Sequence, residues 1–130
     1  MVRTHRQEHI KLEQSLINIG LSRKEAGVYI ALLLLGHGTV SQISRRANIN
    51  RTTGYDILDS LCTKGLVSIS GKEPKQEYSA ESPENLSKFI FEEIKSKNEA
   101  LKRTEEIVPE LKSIHNVKDR PKVLFYEGRE

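Results

Sequence analysis

Two groups of side chains in this 130-residue chain have the types and spacing to do chemistry. The first is Arg51-Thr52-Thr53, with Tyr55 and Asp56 just behind, on a run whose apolar residues Ile57, Leu58 and Leu61 fall at helical spacing. A guanidinium, two hydroxyls and a phenol at the N-terminal end of a helix with one packed face can hydrogen-bond base edges and phosphates in a DNA major groove. The second is His5-Arg6-Gln7-Glu8-His9, which spells H-x-x-E-H, the inverted zinc-peptidase pattern. On a helix His5 and His9 share a face, as two metal ligands require. The pattern is terminal, however, lacks a clear third ligand (His37 and His115 are each isolated), and has no large fold to form a substrate cleft. A solvated or phosphate-facing basic end is the better reading. No metal or other cofactor is expected, and the chain is not read as an enzyme.

The elements that must position the first group lie between Thr39 and Leu66. Val40, Ile43 and Ala47 fall at i, i+3, i+7 and give a first short helix one apolar face. Thr39 and Gln42 have capping-box spacing and mark its start. Ala47-Asn48-Ile49-Asn50 is the turn, with Ile49 plugging the corner and Asn50 as N-cap of the second helix, residues 51–64. After Gly65 the period changes to two. Leu66 to Ser70 alternates, Gly71-Lys72-Glu73-Pro74-Lys75 turns, and Gln76 to Ala80 returns, a β-hairpin. Helix-turn-helix plus hairpin is a winged motif, with Lys72 and Lys75 at the tip of the wing, residues 70–76.

Upstream, residues 1–10 are polar and basic, and helical character runs from about Glu8 to Ile19, stopped by Gly20. Ser22 and Glu25 form a second capping box before a strongly apolar helix whose main face is Ala26, Tyr29, Ile30, Leu33 and Leu34. Val28, Leu32 and Leu35 widen that face, so the helix is either nearly surrounded or part of a subunit contact. Gly36-His37-Gly38 ends it with a tight reversal. Downstream, Ser82-Pro83-Glu84 starts a long helix that runs to about His115, with Pro109 expected to kink or break it. Ile90, Ile94, Leu101, Val108 and Leu111 fit a and d positions, while Lys97 and Thr104 interrupt the seam; pairing with a second copy buries the apolar positions. Pro121 to Glu130 reads as the opening strand of something further, either a C-terminal domain or a strand for a partner. The expected architecture is mainly α with a small β-hairpin. It comprises a winged helix-turn-helix domain over residues 1–81, a long dimerisation helix over 82–116 and a tail over 117–130.

Net charge is +3 with a pI near 9.0. Residues 1–40 and 41–80 each carry a net +2, and residues 81–130 a net −1. A mildly basic front and a charge-balanced back suit a DNA-facing module followed by a solvated helix. The single cysteine, Cys62, excludes an internal disulfide or a Cys-cluster zinc site and reads as a small packed residue. No signal peptide is visible, and the longest apolar run, Ala26 to Leu35, is far short of the ~20 residues of a membrane span. A cytoplasmic, nucleoid-associated protein without membrane contact is expected.

The phrases Ile19-Gly20-Leu21-Ser22, Glu25-Ala26, Val28-Tyr29-Ile30-Ala31-Leu32-Leu33, Tyr55-Asp56-Ile57-Leu58, Leu61 and Lys64-Gly65-Leu66-Val67 agree in order and spacing with a known pattern. So do Pro121-Lys122-Val123 and Phe125-Tyr126-Glu127-Gly128. From Ile17 onward the chain resembles the TrmB-type transcriptional regulators of prokaryotes. The resemblance implies a winged-helix DNA-binding domain, a dimerising coiled coil and often a C-terminal effector domain that recognises sugars. A small-molecule effector would therefore act only through a domain absent here. One departure is Gly54, where the family favours an apolar residue such as Val.

The function expected is sequence-specific binding of double-stranded DNA as a homodimeric transcription regulator. Arg51 reads guanine or clamps phosphate, Thr52 and Thr53 make shorter contacts, and Tyr55 meets phosphate or a thymine methyl. Ser41, Gln42, Arg45 and Arg46 seat the first helix on the backbone, beside Asn50, and Lys72 and Lys75 serve the wing. Asp56 orients Arg45 or accepts from a cytosine amine. The competing reading is a winged-helix protein-interaction module of transcription or chromosome machinery, favoured by the modest net charge and by Asp56 and Asp59.

Overall fold

In a computed structural model, the backbone is described for residues 2–72 and 74–126, and the side chains for residues 9–72 and 74–117. The elements run α1 (Val2–Asn18), α2 (Arg23–Leu35), β1 (His37–Gly38), α3 (Val40–Ala47), α4 (Arg51–Thr63), β2 (Val67–Ser70), β3 (Glu77–Ala80) and α5 (Asn85–Tyr126). They fall into two compact units, Met1–Ile90 and Phe91–Glu130.

In the first unit α2 is the central element, packing on α1, α3, α4 and the sheet. Its start is a complete capping box. The Ser22 hydroxyl accepts from the Glu25 N–H at 3.1 Å, and the Glu25 carboxylate accepts from the Ser22 N–H at 2.8 Å. Its end is Gly36, at φ 85°, where the glycine lets the chain reverse into β1. The buried surface differs from the expected face. Val28, Ala31 and Leu32 are buried with Ala26, Tyr29 and Ile30, whereas Leu33 and Leu34 are 42% and 47% exposed. A helix apolar on nearly every side has its buried face chosen by its neighbours, not by its own periodicity.

The segment Gly36-His37-Gly38, expected only to turn, supplies a third strand. β1 pairs antiparallel with β3 (His37 with Ser79, Gly38 with Tyr78), giving the sheet order β1-β3-β2. The hairpin pairs Val67 with Ala80 and Ile69 with Tyr78, which puts Val67 and Tyr78 into the core with Leu66. α1 starts at Val2, not near Glu8, since the intervening polar residues include no helix breaker.

α5 starts at Asn85, later than expected, after a tight turn in which the Asn85, Leu86 and Ser87 N–H groups donate to the carbonyls of Ser82, Pro83 and Glu84. It does not break at Pro109 or end near His115. The carbonyl that loses its partner to Pro109 belongs to Glu105, which is exposed, so water can satisfy it. Pro121 to Tyr126 continue the helix instead of opening a strand. An isolated strand leaves its backbone groups unpaired, whereas a helix closes them locally. Residues 127–130 of the expected tail lie outside the described residues. In the second unit every described side chain, residues 91–117, is exposed.

Candidate nucleic-acid interface

The helix-turn-helix is built as its capping signals dictate. Thr39 accepts from the Gln42 N–H at 3.3 Å, and Gln42 Oε1 accepts from the Thr39 N–H at 2.9 Å. Asn48 takes the left-handed conformation (φ 61°) that an asparagine tolerates, and the Ile49 N–H closes on the Ser44 carbonyl at 3.0 Å. Asn50 Oδ1 then accepts from the Thr53 N–H at 2.8 Å, starting α4. α4 buries Gly54, Leu58 and Leu61, while Ile57 is half-buried.

Gly54 resolves the departure noted in the sequence. A Cβ built there would stand 2.0 Å from Ser44 Oγ, 3.3 Å from Ser44 Cβ and 3.4 Å from Val40 Cγ2. The glycine therefore lets α4 cross α3 closely, and the Ser44 hydroxyl beneath it is buried with no protein partner. The close crossing, not a loose helix, accounts for the residue.

With its back in the core, α4 presents Arg51 and Thr52 exposed and Thr53 and Tyr55 half-exposed at its front. Arg51 folds along the helix. Its guanidinium lies 5.7 Å from the Tyr55 ring centroid, and Nη2 donates to the Tyr55 hydroxyl at 3.3 Å. In front of the pair is a crevice of about 140 Å³ lined by Thr39, Val40, Ser41, Arg51, Tyr55, Pro74, Gln76 and Tyr78. Of the expected site residues, Ser41, Arg51 and Tyr55 are thus brought together. Gln76 of the wing, which sequence reading missed, joins them; a polar residue at the end of the predicted turn was the only hint. Gln42 and Asn50 are committed through their carbonyl oxygens to capping, which leaves their amide nitrogens for a partner. Arg45 and Arg46 are exposed in the last turn of α3, away from the crevice lining, and Lys72 and Lys75 are exposed on the wing. The expected ion pair between Asp56 and Arg45 does not form: both are exposed and the ion pairs among the described residues lie elsewhere.

The wing turn depends on Gly71, at φ 79°, where an added Cβ would stand 2.8 Å from the Lys75 carbonyl oxygen. The Lys75 N–H donates to the Lys72 carbonyl at 2.7 Å and closes the loop.

At the opposite end of α4, Lys64 Nζ is 2.8 Å from Glu25 Oε2 and donates to Ser60 Oγ at 3.0 Å, and the Ser60 hydroxyl donates to the same Glu25 oxygen. Burial works to raise the Glu25 pKa. The hydrogen bonds from Lys64, Ser60 and the Ser22 N–H, with the Lys64 charge, outweigh it and hold the carboxyl below its ordinary value. The Cys62 thiol is pushed up by burial and by Asp59, as befits a packed residue and not a reactive one.

The side chains of His5 and Glu8, which carry the zinc-like pattern, lie outside the described residues. Among the described residues no group of three His, Cys, Asp or Glu could hold a metal ion, and no helix is long and apolar enough to cross a membrane.

Comparison with known proteins gives the chain's family and fold relatives. Residues 16–84 match the profile of a family described as sugar-specific transcriptional regulator TrmB. Over 90 residues the chain is 34% identical to the HTH-type sugar sensing transcriptional regulator TrmBL1 of Pyrococcus furiosus, covering 69% of this chain and 26% of that protein. The chain thus spans about a quarter of the length of that relative. Among solved structures it is similar to TrmBL2, described as an archaeal chromatin protein with a novel mode of DNA binding (TM-score 0.63, 27% identity, 82% of this chain and 42% of that one). A MarR family protein from Bacillus stearothermophilus shares the fold (TM-score 0.50, 20% identity, 93% and 90% covered).

Proposed function

The chain belongs to the TrmB family of transcriptional regulators, and from that premise we propose that it reads double-stranded DNA sequence-specifically as a homodimer. The observation that carries the reading is the single face on which Ser41, Arg51, Tyr55 and Gln76 converge, with Thr52 beside them and Lys72 and Lys75 on the wing. α4 enters the major groove from its N-terminal end, while the wing lies on the backbone or in the minor groove. Arg51 and the two threonines meet bases or phosphates. Ser41, Gln42, Arg45, Arg46 and Asn50 seat the motif on the backbone.

Dimerisation rests on the apolar surface of each unit. Ile94, Leu101, Val108 and Leu111 are 55%, 58%, 39% and 55% exposed on a helix that has no core of its own in the second unit. Ile107 and Ile114, one heptad apart, widen the same seam. Thr104, which interrupts it, donates its hydroxyl to the Ala100 carbonyl at 2.8 Å and so brings no unpaired donor into an interface. Ile90 is half-buried in the first unit and contributes less than the seam residues beyond it. In the first unit Leu12, Leu16, Ile19, Leu33 and Leu86 line an apolar groove of about 330 Å³, a surface that a second copy can cover. The protein acts in the cytoplasm on the nucleoid. An effector, where one is used, acts through a further domain of the kind its longer relative has room for.

The exposed Asp56 and Asp59 on α4 favour the second reading, a protein-contact module. Selection from a random duplex library separates the two. Enrichment of an inverted repeat supports specific reading by a symmetric dimer, and its spacing fixes the separation of the two α4 helices. Enrichment of single half-sites keeps the DNA function and removes the symmetric dimer. No enrichment by folded protein selects the protein-contact reading.

A further inference from the structure

We infer that Glu25, Ser60 and Lys64 are positioning residues for DNA reading, forming a clamp that sets the inclination of α4 and ties it to the first turn of α5. The inference rests on the DNA-reading function proposed above and adds a means of regulating it.

The clamp joins three elements at one point. Glu25 belongs to the first turn of α2, Ser60 and Lys64 to the C-terminal end of α4, and the Lys64 ammonium lies 5.9 Å from the ring centroid of Phe89 on α5. A second tie runs beside it, where the Asn85 amide donates to the Gly65 carbonyl at 2.8 Å. The Glu25 side chain is only 9% exposed and that of Lys64 25%, so neither charge is a solvated surface group. Each stands where a helix end favours its sign, Glu25 at an N-terminus and Lys64 at a C-terminus. A partly buried ion pair is weak evidence for stability, since an apolar pair of similar size often serves as well; its directional bonds do restrict how the elements they join can sit. What it restricts here is a lever. α4 is about 20 Å long at ~1.5 Å per residue, with the clamp at one end and Arg51 and Tyr55 at the other. A tilt of a few degrees about the middle of the helix moves the reading end by roughly 0.5–1 Å, enough to spoil hydrogen bonds to base edges. Displacement of the first turn of α5 shifts Phe89 and Asn85 and so acts on this end of the lever.

The test compares wild type, Glu25→Gln, Lys64→Gln and Lys64→Arg in the full chain, each checked for folding by circular dichroism. Affinity is measured for the library-selected duplex and for a random duplex. Glu25→Gln makes the protein more positive, so simple electrostatics would tighten both. The clamp instead requires a loss of about tenfold on the selected duplex with little change on the random one. Lys64→Gln behaves alike, and Lys64→Arg, which keeps the cation and its stacking, restores most of the difference. Parallel losses on both duplexes mean a merely structural role and overturn the inference, as does tighter binding by Glu25→Gln. Hydrogen exchange on the DNA-free proteins keeps the clamp testable if wild type binds no duplex, an outcome that sinks the DNA reading. Faster exchange in Glu25→Gln at the end of α4 and at the first turn of α5 together supports the tie; faster exchange in α4 alone overturns it.

Discussion

Arg51 and Tyr55, one helical turn apart, hold each other before any partner arrives. A guanidinium already laid over a ring and bonded to its hydroxyl has little rotamer freedom left to lose on binding, so its contribution to affinity is larger than that of a free surface arginine. Arg51→Ala is expected to weaken specific binding by ~1–3 kcal/mol, and Tyr55→Phe, which removes only the acceptor hydroxyl, by less. Titrations on the selected duplex check both, and unchanged affinity for Arg51→Ala removes it from the reading surface. Gly54 and Ser44 make a second residue-scale case. Gly54→Val is expected to cost about 1–3 kcal/mol in urea unfolding, because a branched side chain must displace Ser44 and Val40. Gly54→Ala in a Ser44→Ala background should cost less than Gly54→Val, since the 2.0 Å clash with the hydroxyl is gone and only the tight 3.3 Å contact with the residue 44 Cβ sets itself against helix propensity. A stable Gly54→Val protein would contradict the close crossing.

At the scale of elements, the join between α2 and α4 carries a pH dependence with a definite sign. The Glu25 carboxyl has a folded pKa below its ordinary value, so the unfolded chain binds more protons between the two. Its contribution to stability is complete above about pH 4.5 and is lost as the pH falls through the depressed folded value. Urea midpoints measured from pH 6 downward should therefore fall more steeply for wild type than for Glu25→Gln; parallel curves would show that the pairing adds no net stability. The wing behaves as a different kind of element. Lys72 and Lys75 are exposed at its tip, where a lysine acts as a point charge on phosphate. Lys72→Ala is expected to reduce the slope of log affinity against log salt by about one while leaving sequence preference intact.

For the whole molecule the question is what covers the apolar surface that each unit exposes by itself. The stretch of α5 from Phe91 to Val117 has every side chain exposed and so no packing among the described residues of its own unit, and helices owe most of their stability to such packing. Leu101→Asp places a charge in the proposed seam and is expected to shift the chain from dimer to monomer in light scattering, with a parallel loss of preference for inverted repeats over half-sites. A monomeric wild type at high concentration would dispose of the seam altogether.

The sequence by itself determined where the helices of the motif begin and turn. Capping and turn chemistry, at Ser22, Thr39, Asn48 and Asn50, is local, so short-range spacing is enough to read it. The existence of the hairpin and the front of α4 were legible for the same reason, in period-two alternation and in the cluster from Arg51 to Tyr55, whereas the hairpin register, Ser70 opposite Glu77, was not. Tertiary structure alone decided the rest, because those features are contacts between residues far apart in the chain. Which face of α2 is buried, the recruitment of His37 and Gly38 as a third strand, the Ser44 beneath Gly54 and the arrival of Gln76 beside Arg51 leave no periodic trace. Neither does the bond between Glu25, which the sequence placed only in a capping box, and Lys64, 39 residues away.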